Sequence, residues 1–123
     1  MSYDTSIIDP ETGGLITDIG NMTSNVGGMY ARALPGPYEG GGRYNGVGET
    51  EPRAGLPGVS GLRCRDAAPI LRAGIEAMHA EEDAMRAMEP SNGWGSYEGA
   101  LAYLRRVAAA CAKHPDGVLA VNW

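Results

Sequence analysis

Residues 92–104, with the sequence NGWGSYEGALAYL, contain the clearest structural signals of this chain. The first half is predicted to be a turn, because Asn, Gly and Ser supply turn and capping geometry. Trp94 is the largest apolar group available to fix that turn against a core, so we expect it to be buried there. The second half opens a helix, for which Ser96 is the predicted N-cap. The apolar stripe of that helix consists of Tyr97, Leu101, Leu104, Ala108 and Cys111.

The composition is typical of one small globular domain. The chain has 123 residues, 43% of them apolar and 20% charged, which favours a single domain over residues 1–123 with a modest core. The formal net charge of −5 argues against nucleic acid and against an anionic membrane as partners, because both are bound by basic surfaces. No signal peptide and no apolar run of ~20 residues is found, so we expect a cytoplasmic protein.

The cysteine and histidine residues do not form a metal-binding pattern. The two cysteines, Cys64 and Cys111, both lie beside apolar helical positions, which favours free thiols over a disulfide. The two histidines, His79 and His114, are far apart and have no Cys or His neighbour at ligand spacing. We therefore expect neither a metal site nor a cofactor.

The N-terminal third is predicted to form one strand and one helix. Residues 1–14 are polar and punctuated by Pro and Gly, so they are interpreted as an irregular lead-in. Residues 15–19 alternate as a strand, and Thr23 or Ser24 is the predicted cap of the following helix. Gly27 and Gly28 weaken that helix, which indicates either close approach of its backbone to another group or small residues packed against a neighbouring helix. The apolar stripe of the helix consists of Val26, Met29, Tyr30, Ala33 and Leu34.

The middle of the chain is predicted to be a long loop followed by a bent helix. Residues 35–60 are rich in Gly and Pro and have no period, which is typical of an irregular, mobile loop. Asp66 is the predicted N-cap of the next helix, with Pro69 in its first turn. The acidic residues 81–83 then mark a bend, and the helical pattern ends before Pro90.

Residues 118–121 are predicted to form a second strand near the C-terminus. Because the two strands have no other predicted partner, we expect them to pair. The predicted fold class is therefore α+β, a small two-stranded antiparallel sheet with about three packed helices. Two strands alone are marginal, so a second copy that extends the sheet, and hence a homo-oligomer, is also predicted.

Three characteristic segments occur in this sequence. They are NMTSNV at residues 21–26 followed by Met29 and Tyr30, NGWGSYEG at residues 92–99, and ACxxHPD at residues 110–116 followed by a predicted strand. In this combination the chain resembles a family of short proteins from tailed bacteriophages and prophages that has no settled activity. The glycine-rich residues 35–60 depart from the usual shorter connection of that family. The resemblance implies a phage-type origin, and hence the cytoplasm of a host cell, rather than a particular function.

The candidate ligand-binding residues come from the two polar turns and the helix starts beside them. Both turns combine amide and hydroxyl groups with aromatic rings, and free N–H groups at helix N-termini attract polar or anionic ligands. The alternative is that the same residues only cap helices and fill the core. The candidate residues are Asn21, Thr23, Asn25, Tyr30, Asn92, Trp94, Tyr97 and Glu98.

The functional hypothesis is a small non-enzymatic accessory protein that binds a polar or nucleotide-like small molecule. A first alternative is a protein-interaction module that engages a host or virion protein through its acidic surface and glycine-rich loop. A second alternative is a small hydrolase that uses Glu98 as an acid or base. No catalytic residue is predicted otherwise, because no serine or cysteine has a histidine and acid beside it in the sequence.

Overall fold

In the computed structural model, which describes residues 1–123, helices pack against one face of a three-stranded antiparallel sheet. The α+β class is therefore confirmed. In chain order the elements are β1 (Ser2–Ile8), β2 (Leu15–Thr23), a 3-10 turn (Ser24–Val26), α1 (Gly27–Ala33), α2 (Leu56–Val59), α3 (Cys64–Ala80), α4 (Glu82–Arg86), α5 (Tyr97–Lys113) and β3 (Val118–Asn122). None of the helices is both long and apolar enough to cross a bilayer.

The central strand of the sheet is β1, and it corrects the expectation of an irregular lead-in. The strand order is β2-β1-β3, so the two predicted strands do not pair with each other and the sheet has three strands instead of two. Tyr3, Thr5 and Ile7 alternate on the buried face of β1. The alternation is hidden in the sequence because the middle inward position holds the polar side chain of Thr5, which is only 1% exposed.

Two bulges bend the outer strand β2. Register shifts against β1 leave Ile19 and Ile16 without a cross-strand partner. At the first bulge the carbonyl of Ile19 accepts a hydrogen bond from Arg106 and the carbonyl of Gly20 accepts one from the Tyr103 hydroxyl, at 2.7 and 2.8 Å. Bulges make an edge strand a poor template for further pairing. The outer edge of β2 is thus unsuited to simple extension of the sheet by a second copy, and the homo-oligomer stays a prediction.

The other edge of the sheet is covered by the chain itself. The Leu119 N–H donates to the carbonyl of Leu62 at 2.9 Å, and Tyr44 forms a parallel bridge with Val121. Since these segments occupy the outer side of β3, neither edge of the sheet resembles a long, flat, unpaired strand.

The core lies between the sheet, α1, α3 and α5. The predicted stripe of α5 is confirmed, because all of its members are buried. Ser96 caps α5 by accepting from the Gly99 N–H at 3.0 Å, as predicted. Cys64 of α3 and Cys111 of α5 are both buried free thiols. The helix pair α3–α5 therefore forms the main packing interface on which the sheet rests.

Three buried tyrosine hydroxyls connect distant parts of the fold. Tyr30 donates to the carbonyl of Ala100 at 2.7 Å, and Tyr103 bonds to the Thr5 hydroxyl at 2.8 Å. Tyr97 donates to the backbone carbonyl of Met78 at 2.8 Å. Burial raises the pKa of each of these phenols. The chain contains no Phe, and these tyrosines fill the core while keeping their polar atoms bonded.

The N-terminal helix follows its prediction. The side chains of the predicted α1 stripe are all buried, and Thr23 caps the 3-10 turn before the helix by accepting from the Asn25 N–H at 3.3 Å. A Cβ atom at Gly27 would lie 2.5 Å from the hydroxyl oxygen of Tyr3. The glycine therefore permits the close approach of backbone to side chain that the sequence suggests.

Helix α3 begins earlier than predicted. Its first residue is Cys64, and its N-cap Arg63 makes no side-chain capping bond, so Asp66 is not the cap. The N–H groups of Cys64 and Arg65 instead donate to the carbonyls of Gly117 and Pro115, at 2.9 and 3.1 Å. The cap is supplied by distant backbone, which local sequence does not reveal. The predicted bend is confirmed, because α3 ends at Ala80 and α4 begins at Glu82.

Part of the glycine-rich segment is structured. Within residues 35–60, the short helix α2 and the following Ser60 are buried, which corrects the expectation of an irregular loop throughout. The Ser60 hydroxyl accepts from the Val121 N–H at 2.9 Å, and Gly42 lies so close to the Glu51 carbonyl that no Cβ would fit. The apolar pair Leu56 and Val59 anchors this end of the segment. The predicted mobility of residues 35–60 stays a prediction.

Candidate ligand-binding groove

Four of the candidate residues line one groove at the end of the sheet. The groove has a volume of about 520 Å³, within the size range of small-molecule sites. It is lined by Met1, Ser2, Asn21, Thr23, Asn25 and Trp94. The two polar turns that the sequence analysis singled out are therefore adjacent in the fold, although about seventy residues separate them in the chain.

One wall of the groove is formed where β1 begins and β2 ends. Ser2 and Thr23 are cross-strand partners, so their side chains share a face of the sheet. The chain then turns into the 3-10 segment, which places Asn25 beside them. The Met1 carbonyl accepts from both the N–H and the hydroxyl of Ser24 at 3.1 Å. This wall is held by hydrogen bonds to Met1 and to the Thr23 hydroxyl, and the amide of Asn25 keeps its donors and acceptor free.

The other wall is the turn that carries Trp94. The Asn92 side-chain oxygen accepts from the Trp94 N–H at 2.9 Å, and both neighbouring glycines have positive φ, +78° at Gly93 and +112° at Gly95. Trp94 is 69% exposed, so the expectation that it fills the core is wrong. Val26, at 1% exposure, occupies the core beneath the turn, which leaves the indole facing outward.

Two of the remaining candidates serve the core. Tyr30 and Tyr97 are at most 2% exposed, and their hydroxyls donate to backbone carbonyls inside the fold. The N–H of Tyr97 also donates to the carboxylate of Glu89 at 3.0 Å. Neither tyrosine lines the groove. Both fill the core, which is the alternative role that the sequence left open for them.

The other two candidates shape the surface beside the groove. Asn92 forms the turn that holds Trp94. Glu98 is exposed and lies 2.6 Å from the guanidinium of Arg86, and this hydrogen bond lowers the pKa of the Glu98 carboxyl. A carboxylate that is ionised at neutral pH does not serve as a proton donor, although it can accept a proton, so the hydrolase alternative with Glu98 as a base stays a prediction.

The groove itself carries no charged side chain. The row of partners next to it across the sheet runs from Asn21 through Asp4 to Asn122, and Asp4 is exposed. Sequence reasoning missed Ser2 and Asp4 because it interpreted residues 1–14 as irregular. The alternation of buried and exposed residues in β1 is the signal that would have found them.

Four N–H groups at the two helix starts are satisfied within the fold. Those of Ser24 and Asn25 donate to the Met1 carbonyl and the Thr23 hydroxyl. Those of Tyr97 and Gly99 donate to Glu89 and Ser96. Free N–H groups at these positions would attract an anion, but these four are already bonded.

A larger cavity, of about 600 Å³, lies between the turn after β1 and the end of α5. Its lining mixes both signs of charge, and much of that charge is used locally. Asp116 is ion-paired with Arg65, and the Asp9 carboxylate accepts from the N–H groups of Glu11 and Thr12 at 2.7 and 3.1 Å. No group of three or more His, Cys, Asp or Glu side chains is placed to hold a metal ion. The cavity is therefore a weaker candidate than the groove.

No family model matches the sequence, and neither a curated protein nor a solved structure matches it. The function is therefore inferred from the chemistry of the groove.

Proposed function

We propose that this chain is a small, non-enzymatic, phage-type accessory protein that binds a polar, ring-bearing small molecule in the groove between Trp94 and the end of β2. The observation that carries the proposal is the position of Trp94, an indole held by a hydrogen-bonded turn yet 69% exposed beside polar side chains. The phage-type character rests on the sequence resemblance. On sequence grounds we also propose a homo-oligomer in the host cytoplasm.

The polar side of the groove is available for binding. The amide groups of Asn21 and Asn25 are exposed and form no hydrogen bond with the protein through their side chains. Each amide offers two donors and an acceptor. Together with the indole face they provide the combination of apolar contact and orienting polar groups that is usual in small-molecule sites.

The groove is suited to weak or moderate affinity. Covering about 100 Å² of the indole contributes roughly 2.5 kcal/mol at about 25 cal/mol per Å². Two or three hydrogen bonds add about 0.5–1.5 kcal/mol each. The entropic cost of association offsets much of this gain, so measurable binding requires the indole contact and the hydrogen bonds together.

Native mass spectrometry of protein purified gently from cells tests the proposal. We expect a defined additional mass of small-molecule size on the wild-type chain and its loss in Trp94→Ala. The matched control is Tyr44→Ala, which removes another exposed aromatic ring, 50% exposed, from a different surface. An additional mass that persists in Trp94→Ala but is lost in Tyr44→Ala would refute the assignment to this groove.

A second candidate function is favoured by one feature of the glycine-rich segment. The ring centroids of Tyr44 and Trp123 lie 5.1 Å apart in an edge-to-face arrangement, and the Arg53 guanidinium lies 4.9 Å from the Trp123 ring centroid. Tyr, Trp and Arg are the residues that most often dominate protein–protein binding energy. The alternative proposal is therefore a module that engages a host or virion protein through this cluster.

Capture from host lysate with Tyr44→Ala as bait tests this alternative. Deleting residues 38–55 is less suitable, because Asn45 donates to Val121 at 3.0 Å and so joins the segment to the sheet. If the chain binds a protein through this cluster, Tyr44→Ala loses a partner that Trp94→Ala retains. Equal capture by both variants would contradict a role for the cluster.

A further inference from the structure

We infer that the ligand of the Trp94 groove is an uncharged saccharide; this inference rests on the proposed function and narrows its ligand class. The groove is lined by an indole, two amides, two hydroxyl groups and Met1, with no charged side chain among them. Ligands that carry a phosphate or carboxylate are usually held by Arg, Lys or free backbone N–H groups. No Arg or Lys side chain lines the groove, and the one cationic group among its lining residues is the α-amino group of Met1, which the carboxylate of the adjacent β1 residue Asp4 offsets.

The surroundings of the groove also disfavour an anion. The N–H groups of Ser24 and Asn25, which are the ones nearest in sequence to the polar wall, are bonded to Met1 and Thr23. The adjacent β1 position is Asp4, which pairs with Asn21 in the sheet and is exposed. Its carboxylate repels a phosphate, and the net charge of −5 adds to that repulsion at long range.

The remaining chemistry matches the two sides of a sugar ring. A pyranose presents a face of aliphatic C–H groups, which covers an indole face and removes apolar area from water. Its hydroxyl groups lie around the rim of the ring and can both donate and accept hydrogen bonds. The amides of Asn21 and Asn25 can also do both, so they are suitable partners for these hydroxyl groups. Hydroxyl groups also donate to a carboxylate, so a sugar tolerates Asp4 where an anion does not.

A flat nucleobase fits these features less well. The edge of a base carries both donors and acceptors, but both of its faces are apolar, and a single indole covers only one of them. Bases are also held by stacking on aromatic faces at successive positions, whereas Trp94 is the only aromatic side chain in this groove. The geometry therefore favours a neutral saccharide over a nucleoside and, more strongly, over a nucleotide.

Titration of the full-length protein with defined probes tests the inference. The probes are maltotriose, chitotriose, xylotriose, adenosine and AMP, and the readout is the indole N–H resonance of Trp94, assigned by its absence from Trp94→Ala. We expect at least one saccharide to shift this resonance and to bind about 10- to 100-fold more weakly to Trp94→Ala, as for loss of one stacking aromatic ring. Retained chemical-shift dispersion in the variant shows that it is folded.

Two control variants test where the saccharide binds and whether the charge of Asp4 determines the class of ligand. Tyr44→Ala, on a different surface, should bind the saccharide as the wild type does. Asp4→Lys should leave saccharide affinity within about threefold and should strengthen AMP relative to adenosine, because it replaces a repulsive charge with an attractive one.

The outcomes distinguish the inference from the proposed function. Binding of adenosine or AMP at Trp94, with no shift by any saccharide, overturns the saccharide inference and leaves the small-molecule groove standing. No shift by any of the five probes overturns the inference and also counts against the groove as a binding site. A saccharide that binds Trp94→Ala as tightly as the wild type overturns the inference by placing the sugar elsewhere.

Discussion

The turn that presents Trp94 depends on the absence of a side chain at Gly95. A Cβ atom there would lie 2.8 Å from Cγ1 of Val26 and 3.0 Å from Cγ2 of Thr23. Val26 is only 1% exposed, so its side chain has no free space into which to move. A Gly95→Ala substitution must therefore push the turn away from the 3-10 segment and carry the indole with it.

The expected cost follows from two separate effects. A non-glycine residue at positive φ costs about 1–3 kcal/mol, and φ is +112° at Gly95. Overpacking against Val26 and Thr23 adds about 1–3 kcal/mol. Gly93 provides the matched control, since its φ is +78° and no atom lies within 4 Å of its Cβ position. Gly93→Ala therefore has the first cost without the second, and we expect Gly95→Ala to be the less stable of the two by about 1–3 kcal/mol.

Urea denaturation followed by far-UV circular dichroism measures both variants against the wild type. Both midpoints should fall, that of Gly95→Ala further, with similar slopes. Ligand binding should weaken in Gly95→Ala because the indole is displaced from the groove. Equal losses of stability in the two variants would refute the conclusion that the turn is packed on Val26 and Thr23, as would a Gly95→Ala protein as stable as the wild type.

Three further predictions concern the core. Tyr103→Phe should lower stability by about 1–3 kcal/mol in a thermal melt, because it leaves buried partners without their hydrogen bond, whereas Tyr38→Phe, at a half-buried position, should change little. Because burial raises the pKa of Tyr30, its contribution to stability is complete below the unfolded pKa of about 10 and is lost as the pH rises above it. Circular dichroism between pH 9 and pH 12 should show unfolding that is less steep in Tyr30→Phe, and an equally steep transition would contradict this assignment. Ellman's reagent should label neither Cys64 nor Cys111 in the folded protein and both in urea, since both thiols are buried; rapid labelling without denaturant would show that the α3–α5 interface opens.

The helical part of the fold was accessible from the sequence because its signals are local. The stripe of α5, its Ser96 cap and the break at Glu81 each depend on residues within a few turns of one another. The same holds for the apolar face of α1. Periodicity and capping are read directly from the chain in such cases.

The features that were missed depend on distant partners. Thr5 is buried because its hydroxyl meets that of Tyr103, 98 residues later in the chain, so β1 does not show a simple apolar alternation. The start of α3 is set by the carbonyls of Gly117 and Pro115. Nothing near Cys64 in the sequence indicates these partners.

Only part of the candidate site was predicted, because its residues come from segments that are distant in the chain. The polar turns identified Asn21, Thr23, Asn25 and Trp94, which the fold brings to one groove. The aromatic residues within the helices were assigned to the same site by proximity in sequence, and the fold places them in the core instead. Whether an aromatic ring faces solvent or core is decided by what else fills the core, which a single sequence does not specify.

The position of β1 has a consequence for how the chain acquires its structure during synthesis. The β1–β2 hairpin can form as soon as residues 2–23 have emerged from the ribosome, but its inner face then has nothing to cover it. The second partner, β3, is made only about a hundred residues later. While residues 24–117 are being made, the nascent chain therefore holds a strand with one open edge, a state in which aggregation competes with folding. The bulges of β2 protect one side of the hairpin during that interval, and completion of the sheet is the step that removes the hazard on the other.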